Sequence, residues 1–452
     1  MNILFIYPTK LDKNGNIIKY KKAFLPPLSL AILNSLTPVR HNVKIVNDIV
    51  EDISFSSCYD LVAITSMTMQ IKRAYQIADR FRCLGTKVII GGFHATILPE
   101  EAKKHADSVV IGEADNLWEQ ILSDFENNNF KEFYQDTSFP DLQKLVIPKW
   151  DNMNLKIYPK PIGYRLPMMP LFTTRGCVFS CRFCSVSKFF GKTYRFKPIS
   201  NVIKEIDSIN TKAYIFVDDN ISCNVDYSRE LFKALSHKKI RWLSQISTSV
   251  LKTPALIDLA AKSGCNSLFI GIESINNKNL KSINKGFNKA EEYEELFTRL
   301  RKVGIIPFPS IIFGLDYDTP DQLKLTLDFL MKNKIGYALF WILTPLPGTD
   351  LFNDMNKEGR ILDNNWSMYD LSNVIFQPKN FTTSELYMNY WKTYQKFYSL
   401  KNIAKRMYYN ISISAHPFYE FFDNLFYQFY FRKKVNLYDP PISGGINRVN
   451  PS

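Results

Sequence analysis

Three cysteines stand close together in the segment "RGCVFSCRFC", as Cys177, Cys181 and Cys184, in a chain that has seven cysteines in all. This CxxxCxxC spacing offers three thiol ligands, whereas a structural zinc site usually takes four protein ligands. A CxxC redox pair would explain Cys181 and Cys184 but not Cys177. Three thiolates on a four-iron cluster leave one iron open to a substrate or cofactor. The spacing therefore predicts a [4Fe-4S] cluster on these cysteines.

The elements around this motif indicate an open or partial barrel. Six β-rich runs alternate with helical patterns from about residue 166 to 348: "MMPLFTTRG", "AYIFVDDN", "RWLSQIST", "SLFIGIES", "IPFPSIIFGL" and "YALFWILTPLP". In barrels of this kind the reacting groups lie at the carboxyl ends of the strands. The cysteine motif follows the first of these strands directly, which is where such chemistry is expected.

The first 127 residues predict a second α/β unit. Five short β-rich runs, separated by helical stretches such as "MQIKRAYQIADRFRCLG", favour a Rossmann-like, doubly wound parallel sheet. Residues 128–165 lose this rhythm and are predicted to be a linker. The α/β class therefore covers a front domain (1–127) and a partial (β/α)6 TIM-type barrel (166–348), followed by a mainly helical C-terminal region (349–452).

Composition limits the location and the partners. The longest apolar runs are too short for a membrane-spanning helix, and the start "MNILFIYPTK" lacks the pattern of a secretory signal, so a cytoplasmic protein is expected. An odd number of cysteines, three of them crowded, argues against a disulfide framework. The formal charge of +14 favours anionic partners. Nucleic acid is not expected, because the charge is dispersed and no RNA-binding module is visible.

The cysteine motif resembles the signature of the radical S-adenosylmethionine (SAM) superfamily, with the aromatic Phe183 before the third cysteine. The wider run "RGCVFSCRFCSVSKFFGKTYRFKP" resembles the subgroup that carries an N-terminal cobalamin-binding domain, and this resemblance covers nearly the whole chain. It implies that the open iron binds SAM and that an electron from the reduced cluster cleaves SAM to a 5'-deoxyadenosyl radical. The protein supplies binding and orientation, while the cofactors supply the difficult chemistry.

The same resemblance implies further SAM contacts at strand ends. These contacts are predicted at Phe183, Asp219, Ser247 and Glu273. Asp219 follows the second barrel strand in "VDDN", where the adjacent Asp218 is equally well explained as a helix-capping residue. A carboxylate directly after "LFIGI" suits a core poorly, so Glu273 is expected to be functional.

Cobalamin is expected above the carboxyl edge of the front sheet. The strand ends "ITSMTMQ", "IIGGFHAT" and "IGEAD" place candidate contacts there: Ser66, Thr68, Gly91, Gly92, Gly112 and Glu113. The loop after the first strand, "YPTKLDKNGN", has no histidine, so it supplies no imidazole ligand to cobalt. His94 is expected to contact solvent or phosphate rather than the metal.

Two features outside these sites allow simple expectations. Cys223 follows "VDDN" and is expected near the cluster, whereas Cys58, Cys83 and Cys265 are expected to be structural. Between Tyr408 and Phe431, eleven of 24 residues are aromatic, with basic residues on both flanks. This run favours either coverage of the barrel or a dimer partner, or an interfacial helix with peripheral membrane contact.

The leading hypothesis is a radical SAM enzyme that uses cobalamin to methylate an unactivated carbon of a small-molecule or lipid-like substrate. Its electron donor would be a flavodoxin or a ferredoxin. One alternative keeps both domains but performs oxidation or cyclisation without methyl transfer. The other alternative is a non-catalytic iron–sulfur sensor, which the placement of Asp219 and Glu273 around an open cluster disfavours.

Overall fold

The computed structural model describes residues 1–161, 164–410, 417–440 and 445–449. The front domain contains strands β1 (Asn2–Tyr7), β2 (Lys19–Ala23), β3 (Asn42–Asn47), β4 (Leu61–Thr65), β5 (Lys87–Gly91), β6 (Ser108–Ile111) and β7 (Phe133–Gln135). Its helices are α1 (Leu28–Leu36), α2 (Ile71–Cys83), α3 (Phe93–Ile97), α4 (Pro99–Lys103) and α5 (Trp118–Glu126).

Six of these strands form one parallel sheet in the order β3-β1-β4-β5-β6-β7. The five β-rich runs of the sequence all become strands of this sheet. Its outermost strand, β7, lies within the stretch predicted as a linker, so the sheet extends to Gln135. Helix α2 packs on the sheet because its apolar residues recur on one side; Ile71, Ala74, Ile77, Ala78 and Phe81 are all buried.

The second sheet is the predicted open barrel. Its chain segment contains β8 (Met169–Leu171), β9 (Thr174–Arg175), β10 (Arg195–Phe196), β11 (Ala213–Phe216), β12 (Arg241–Ile246), β13 (Cys265–Glu273), β14 (Ile306–Phe313) and β15 (Leu339–Ile342). The parallel order is β15-β14-β13-β12-β11-β8, whereas β9 and β10 form a separate antiparallel pair. The helices between the strands are α6 (Val186–Phe189), α7 (Ile199–Ser208), α8 (Val225–Ser236), α9 (Pro254–Lys262), α10 (Asn277–Ser282), α11 (Tyr293–Lys302) and α12 (Pro320–Lys332).

The C-terminal region is mainly helical. It contains α13 (Asp350–Lys357), α14 (Thr383–Phe397), α15 (Leu400–Asn410), α16 (Pro417–Asn436) and the strand β16 (Gly445–Val449). Short 3₁₀ turns occur at Thr68–Gln70, Leu155–Ile157, Thr248–Lys252, Ala290–Glu292 and Trp366–Met368. β16 pairs antiparallel with β2, so the end of the chain returns to the front domain.

The aromatic run at the C-terminus packs partly on the barrel. Residues 411–416 of this run, and the side chains of residues 407–424, lie outside the described part. Among the others, Tyr430 and Phe431 are buried in the barrel core, as the covering hypothesis predicted. Of the flanking cations, Arg406 and Lys434 are buried, whereas Lys401, Lys405 and Lys433 are exposed. No helix in the described ranges is long and apolar enough to cross a membrane.

Candidate active site

The three cysteines of the motif lie on the loop between β9 and β10, and all three are half-buried. The loop begins at Gly176, whose φ is 90°. A Cβ atom at Gly176 would lie 2.2 Å from the carbonyl oxygen of Thr193, so only glycine fits this turn. The backbone N–H of Cys184 donates to the carbonyl of Cys181 over 3.0 Å. The cysteines are therefore carried on a fixed, tightly folded loop.

The three thiols differ in their pKa values. Cys177 Sγ lies 3.9 Å from Cys223 Sγ, and this hydrogen bond lowers the pKa of Cys177 to about 7. Burial raises the pKa of Cys181 to about 11 and that of Cys184 to about 12. Iron must displace protons from the latter two thiols, since only thiolates bind it. Cys223 is near the site, as expected.

The donor set fits an iron–sulfur cluster better than a single ion. The three thiols are carried on one loop at the mouth of the barrel, and three thiolates can hold a four-iron cluster with one iron left open. A cluster has several irons, and each thiolate binds a different one, so the three sulfurs need not converge. Three half-buried thiols on one loop therefore suit the [4Fe-4S] cluster that the spacing predicted.

Glu273 ends β13 and lies at the same side of the barrel as the cysteine loop. It is buried, and its Oε1 accepts a hydrogen bond of 2.5 Å from Lys285 Nζ. Lys285 is itself buried, lies 5.9 Å from the ring of Phe183, and is attracted by Cys181 and Cys184. Burial alone would lower the pKa of Lys285, but the negative charge of Glu273 outweighs it and raises this pKa, with smaller contributions from the two cysteines. The structure thus brings Glu273 and Phe183 together around a buried cation.

Sequence analysis missed Lys285. It lies in "INKGF", a short segment after α10 that matches no motif. A lysine beside an isolated glycine is common on protein surfaces, so the sequence alone carried no signal for its burial. Only the fold shows that it is the cation between Glu273 and the cysteine loop.

The two adjacent aspartates after β11 have separate roles. Asp218 is fully buried and accepts hydrogen bonds from the backbone and hydroxyl groups of Thr173 and Thr174, so it holds the turn after β8. Asp219 accepts a 3.1 Å bond from the backbone N–H of Gly176, directly before the first cysteine. Burial raises the pKa of Asp219 to about 6. Asp219, the less buried of the two aspartates, is therefore the one beside the cysteine loop.

Ser247 lies at the end of β12, next to these aspartates. Its backbone N–H donates to Asn220 Oδ1 over 3.3 Å, and its hydroxyl lies 2.5 Å from the hydroxyl of Ser249. Asn220 follows Asp219 in the chain, so the ends of β11 and β12 are joined at this point. Ser247 is thereby held at the mouth of the barrel.

A cleft that is open to solvent lies between the front sheet and the barrel mouth. One wall contains the predicted residues Gly91, Gly92, Gly112 and Glu113. The other wall comes from the second domain, and its lining includes Phe172, Thr174, Arg175, Phe189, Phe190, Val217 and Asp219. The carboxyl edge of the front sheet and the carboxyl ends of β8 and β11 therefore face one chamber, whose apolar walls suit a large cofactor such as cobalamin.

Ser66 and Thr68 do not line this cleft. Both are buried, and the backbone N–H of Ser66 donates to the carbonyl of Gly91 over 3.1 Å. At Gly92, with φ 98°, a Cβ would lie 2.7 Å from the backbone N and O of Ser66. Gly92 is therefore required by the fold itself, whereas Gly91 and Gly112 are the glycines whose surroundings leave space on the cleft side.

A buried ion network crosses the cleft at one end. Arg175, directly before the cysteine loop, binds Asp115 over 2.9 and 3.0 Å and also binds Glu113. Arg195 Nη2 binds the other oxygen of Glu113 over 2.5 Å. Burial would lower the pKa of Arg175, but Asp115 and Glu113 raise it. Glu113, predicted from sequence as a cofactor contact, thus also joins the front domain to Arg175 at the start of the cysteine loop.

His94 corrects one expectation. It was expected to contact solvent or phosphate, but it is fully buried, lies 3.3 Å from Glu101 and packs edge-on against Trp366. Buried imidazole groups require a polar partner, and Glu101 supplies it.

The loop after β1 and the three cysteines Cys58, Cys83 and Cys265 lie in different surroundings. Lys10 of this loop pairs with Asp370 over 2.6 Å, so the loop packs toward the C-terminal region. Cys58 and Cys83 are exposed, which excludes them from the core, while Cys265 is buried as expected.

Two family models match the chain. The radical SAM superfamily matches residues 171–330, which include the cysteine loop and most of the barrel. The B12 binding domain matches residues 32–122, which include the glycine-lined wall of the cleft.

Several known proteins are similar to the chain over most of its length. The bacteriochlorophyllide d C-12(1)-methyltransferase of Chlorobaculum tepidum is 33% identical over 390 residues, covering 84% of each chain. The C-8(2)-methyltransferase of the same organism is 33% identical, covering 85% of this chain and 88% of its own. The anaerobic magnesium-protoporphyrin IX monomethyl ester cyclase of Cereibacter sphaeroides is 26% identical, covering 76% of this chain and 60% of its own.

The fold is shared with a solved structure. The cobalamin-dependent SAM radical enzyme OxsB, with aqua-cobalamin and SAM bound, superposes with a TM-score of 0.65 at 14% identity. The match covers 96% of this chain and 72% of OxsB. The likeness therefore includes both sheets and the C-terminal region.

Proposed function

Because the chain belongs to the radical SAM superfamily and carries a B12-binding domain, we propose that it methylates an unactivated carbon of a small-molecule substrate. The observation that carries this proposal is the cleft that the front domain and the barrel line together. Gly91 and Gly112 of the front sheet face Arg175 and Asp219 beside the cluster loop across one chamber. A methyl donor on one wall and a radical source on the other could therefore act on the same substrate carbon.

The residues of the barrel would bind and orient SAM. Glu273 is the carboxylate available for the SAM ammonium group, and its contact with Lys285 holds its side chain in place. Lys285 adds a positive charge near the sites of the cluster thiolates, and Phe183 lies beside it. Asp219 and Ser247 lie at neighbouring strand ends, where polar groups of SAM would come within reach.

The cofactors divide the chemistry. When bound, the cluster cleaves SAM reductively to give the radical, and cobalamin carries the methyl group. Each methylation consumes two SAM molecules: one ends as S-adenosylhomocysteine, and the other as 5'-deoxyadenosine and methionine. Two sulfonium charges are lost in this balance, so each methylation needs two electrons, and we propose that a flavodoxin or a ferredoxin supplies them one at a time.

The function is tested by the two SAM products. Reduced enzyme loaded with cobalamin and incubated with fractionated cell extract should form S-adenosylhomocysteine and 5'-deoxyadenosine together in the fraction that contains the substrate. Enzyme prepared without cobalamin should form only 5'-deoxyadenosine. Equal formation of S-adenosylhomocysteine with and without cobalamin would contradict methyl transfer through this cofactor.

Oxidation or cyclisation is the second candidate, because a magnesium-protoporphyrin ester cyclase is among the relatives. Such a reaction would use the same cleft but consume SAM only as the radical source. Substrate turnover with 5'-deoxyadenosine and no S-adenosylhomocysteine would favour this candidate. The stronger identity to two methyltransferases, 33% against 26%, supports methylation as the first choice.

A further inference from the structure

The outward side of α16 exposes large apolar side chains. Phe426 and Phe429 are 64% and 46% exposed, and Leu437, directly after the helix, is 65% exposed. Together with the exposed Lys433 they are spaced by three, four and four residues, which places them along one side of the helix. The opposite side, which includes Phe431 and Val435, is buried in the barrel core. The exposed rings therefore have no role in covering the barrel.

A basic cleft adjoins this stripe. Its lining includes Lys21 of β2, Lys433 of α16 and Arg448 of β16. Lys433 Nζ lies 3.3 Å from Asn447 Oδ1, which holds the helix against the β2–β16 strand pair. The acidic residue of the lining, Asp439, already pairs with Lys434 over 3.2 Å. The lining thus carries a positive charge beside exposed aromatic groups.

We propose that this basic-aromatic face, formed by Phe426, Phe429, Lys433, Leu437, Lys21 and Arg448, docks the enzyme on a membrane that contains anionic phospholipid. The phenylalanine rings enter the boundary between headgroups and acyl chains, where exposed apolar area gains most. The lysines and the arginine contact lipid phosphates, each cation contributing to attraction toward the anionic surface. Apolar rings and cations on the same side match both requirements of an interfacial helix.

The charge suits this occupant better than a second copy of the chain. Two copies meeting through this face would bring Lys21, Lys433 and Arg448 of each against the same cations of the other. An anionic bilayer instead offers phosphates to all of them at once. The location at a membrane goes beyond methylation and does not depend on it.

Flotation with lipid vesicles tests the proposal. The holoenzyme, with cluster and cobalamin bound, should float with vesicles of phosphatidylcholine and phosphatidylglycerol and remain unbound with phosphatidylcholine alone. Lys433→Glu should weaken binding by at least about fivefold, since one cation near an anionic surface contributes about 1 kcal/mol. The double variant Phe426→Ser with Phe429→Ser should weaken it further, with cluster and cobalamin absorbance unchanged.

The chain offers matched controls on other helices. Leu325 on α12 is 55% exposed, and Lys262 on α9 is exposed. Lys262→Glu makes the same charge reversal and Leu325→Ser removes exposed apolar surface, both away from the face, and both should leave binding unchanged. Equal loss in these controls would show that only overall charge and hydrophobicity matter, and would overturn the proposal.

Three other results would also overturn it. Equal flotation with both vesicle types would remove the role of the anionic headgroup. Release of the vesicles by soluble glycerol phosphate at a concentration equal to the lipid would show a site for a free anion instead. A concentration-dependent dimer in light scattering that Phe426→Ser abolishes would assign the face to a second copy of the chain.

Discussion

Glu273 has a backbone φ of 57°, a conformation that a residue with a side chain rarely adopts. Such strain costs of the order of 1–3 kcal/mol and persists where the surroundings impose it, often at functional sites. The surroundings here are close: a Cβ on Gly271 would lie 2.5 Å from Glu273 Oε1 and 2.7 Å from Lys285 Nζ. The ion pair is thus packed against the backbone of β13, with the carboxylate fixed at the strand end.

The contribution of Glu273 and Asp219 to SAM binding can be measured separately from the contribution of the cysteines to cluster binding. Glu273→Ala and Asp219→Ala should each weaken SAM binding at least about tenfold, the loss of about 1.4 kcal/mol expected for one charged contact. Iron and sulfide content should stay near the wild-type value, because neither residue belongs to the thiol set. Equilibrium binding of SAM to the reconstituted protein measures the effect. Unchanged affinity in both variants would show that SAM lies elsewhere.

Single substitutions of the three motif cysteines test whether they hold the cluster. Cys177→Ala, Cys181→Ala and Cys184→Ala should each abolish the [4Fe-4S] cluster, because a two-thiol loop holds it too weakly. Cys223→Ala is the matched control, since Cys223 lies 3.9 Å from Cys177 but is outside the motif, and should keep it. Iron, sulfide and visible absorbance after anaerobic reconstitution are the measurements. A triple variant that still holds the cluster would exclude this loop.

At the scale of elements, repeated patterns were predictable from sequence and contacts between distant segments were not. All six barrel strands and five of the front strands follow β-rich runs, because buried parallel strands are continuous in apolar residues. The strand β7, "FYQ", is too short to show a pattern, whereas β2 and β16 are interrupted by polar residues and pair with each other across most of the chain. For the same reason the links from Arg175 to Glu113 and Asp115, and the burial of Lys285, could not be inferred.

Gly91 and Gly92, adjacent at the end of β5, are expected to respond differently to substitution. Gly91→Leu should place a side chain in the cleft and abolish cobalamin binding while the protein stays folded, because a Cβ there makes only an ordinary 3.4 Å contact with Val110. Gly92→Ala should instead lower thermal stability, since its Cβ would lie 2.7 Å from the backbone of Ser66. Cobalamin absorbance and the melting temperature separate the effects. Normal cobalamin content in Gly91→Leu would contradict the assignment of the cleft.

At the scale of the whole molecule, buried polar contacts hold the front domain to the rest of the chain. Arg175 reaches across the cleft to Glu113 and Asp115, and breaking such a buried pair is strongly destabilising. On another side, Glu101 of α4 accepts a 3.0 Å hydrogen bond from the indole N–H of Trp366 in the C-terminal region. Cleft geometry therefore depends on contacts at two separate places.

The Glu101 contact predicts a pH dependence of stability. Burial would raise the pKa of Glu101, but hydrogen bonds from His94, Trp366 and Tyr75 outweigh it and lower the pKa to about 2. The folded-state pKa lies below the unfolded value, so this stabilisation is present above about pH 4.5 and is lost as the pH falls toward 2. After allowance for partial exposure it amounts to about 2 kcal/mol.

Glu101→Gln should remove this dependence. The difference in melting temperature between wild type and variant should be largest near pH 5.5 and narrow toward about pH 3. A constant difference over this interval would mean that the carboxylate keeps an ordinary pKa in the folded protein.

In the proposed function, one cleft brings a methyl donor and a radical source to the same substrate carbon. The most direct test of this proposal is transfer of the methyl group from SAM labelled with deuterium at that position, followed by mass analysis of the product made by the reduced, cobalamin-loaded enzyme. We predict a product that carries the labelled methyl on a carbon atom, formed by wild type and absent with Gly91→Leu. A product without label, formed at equal rates by both proteins, would contradict the account.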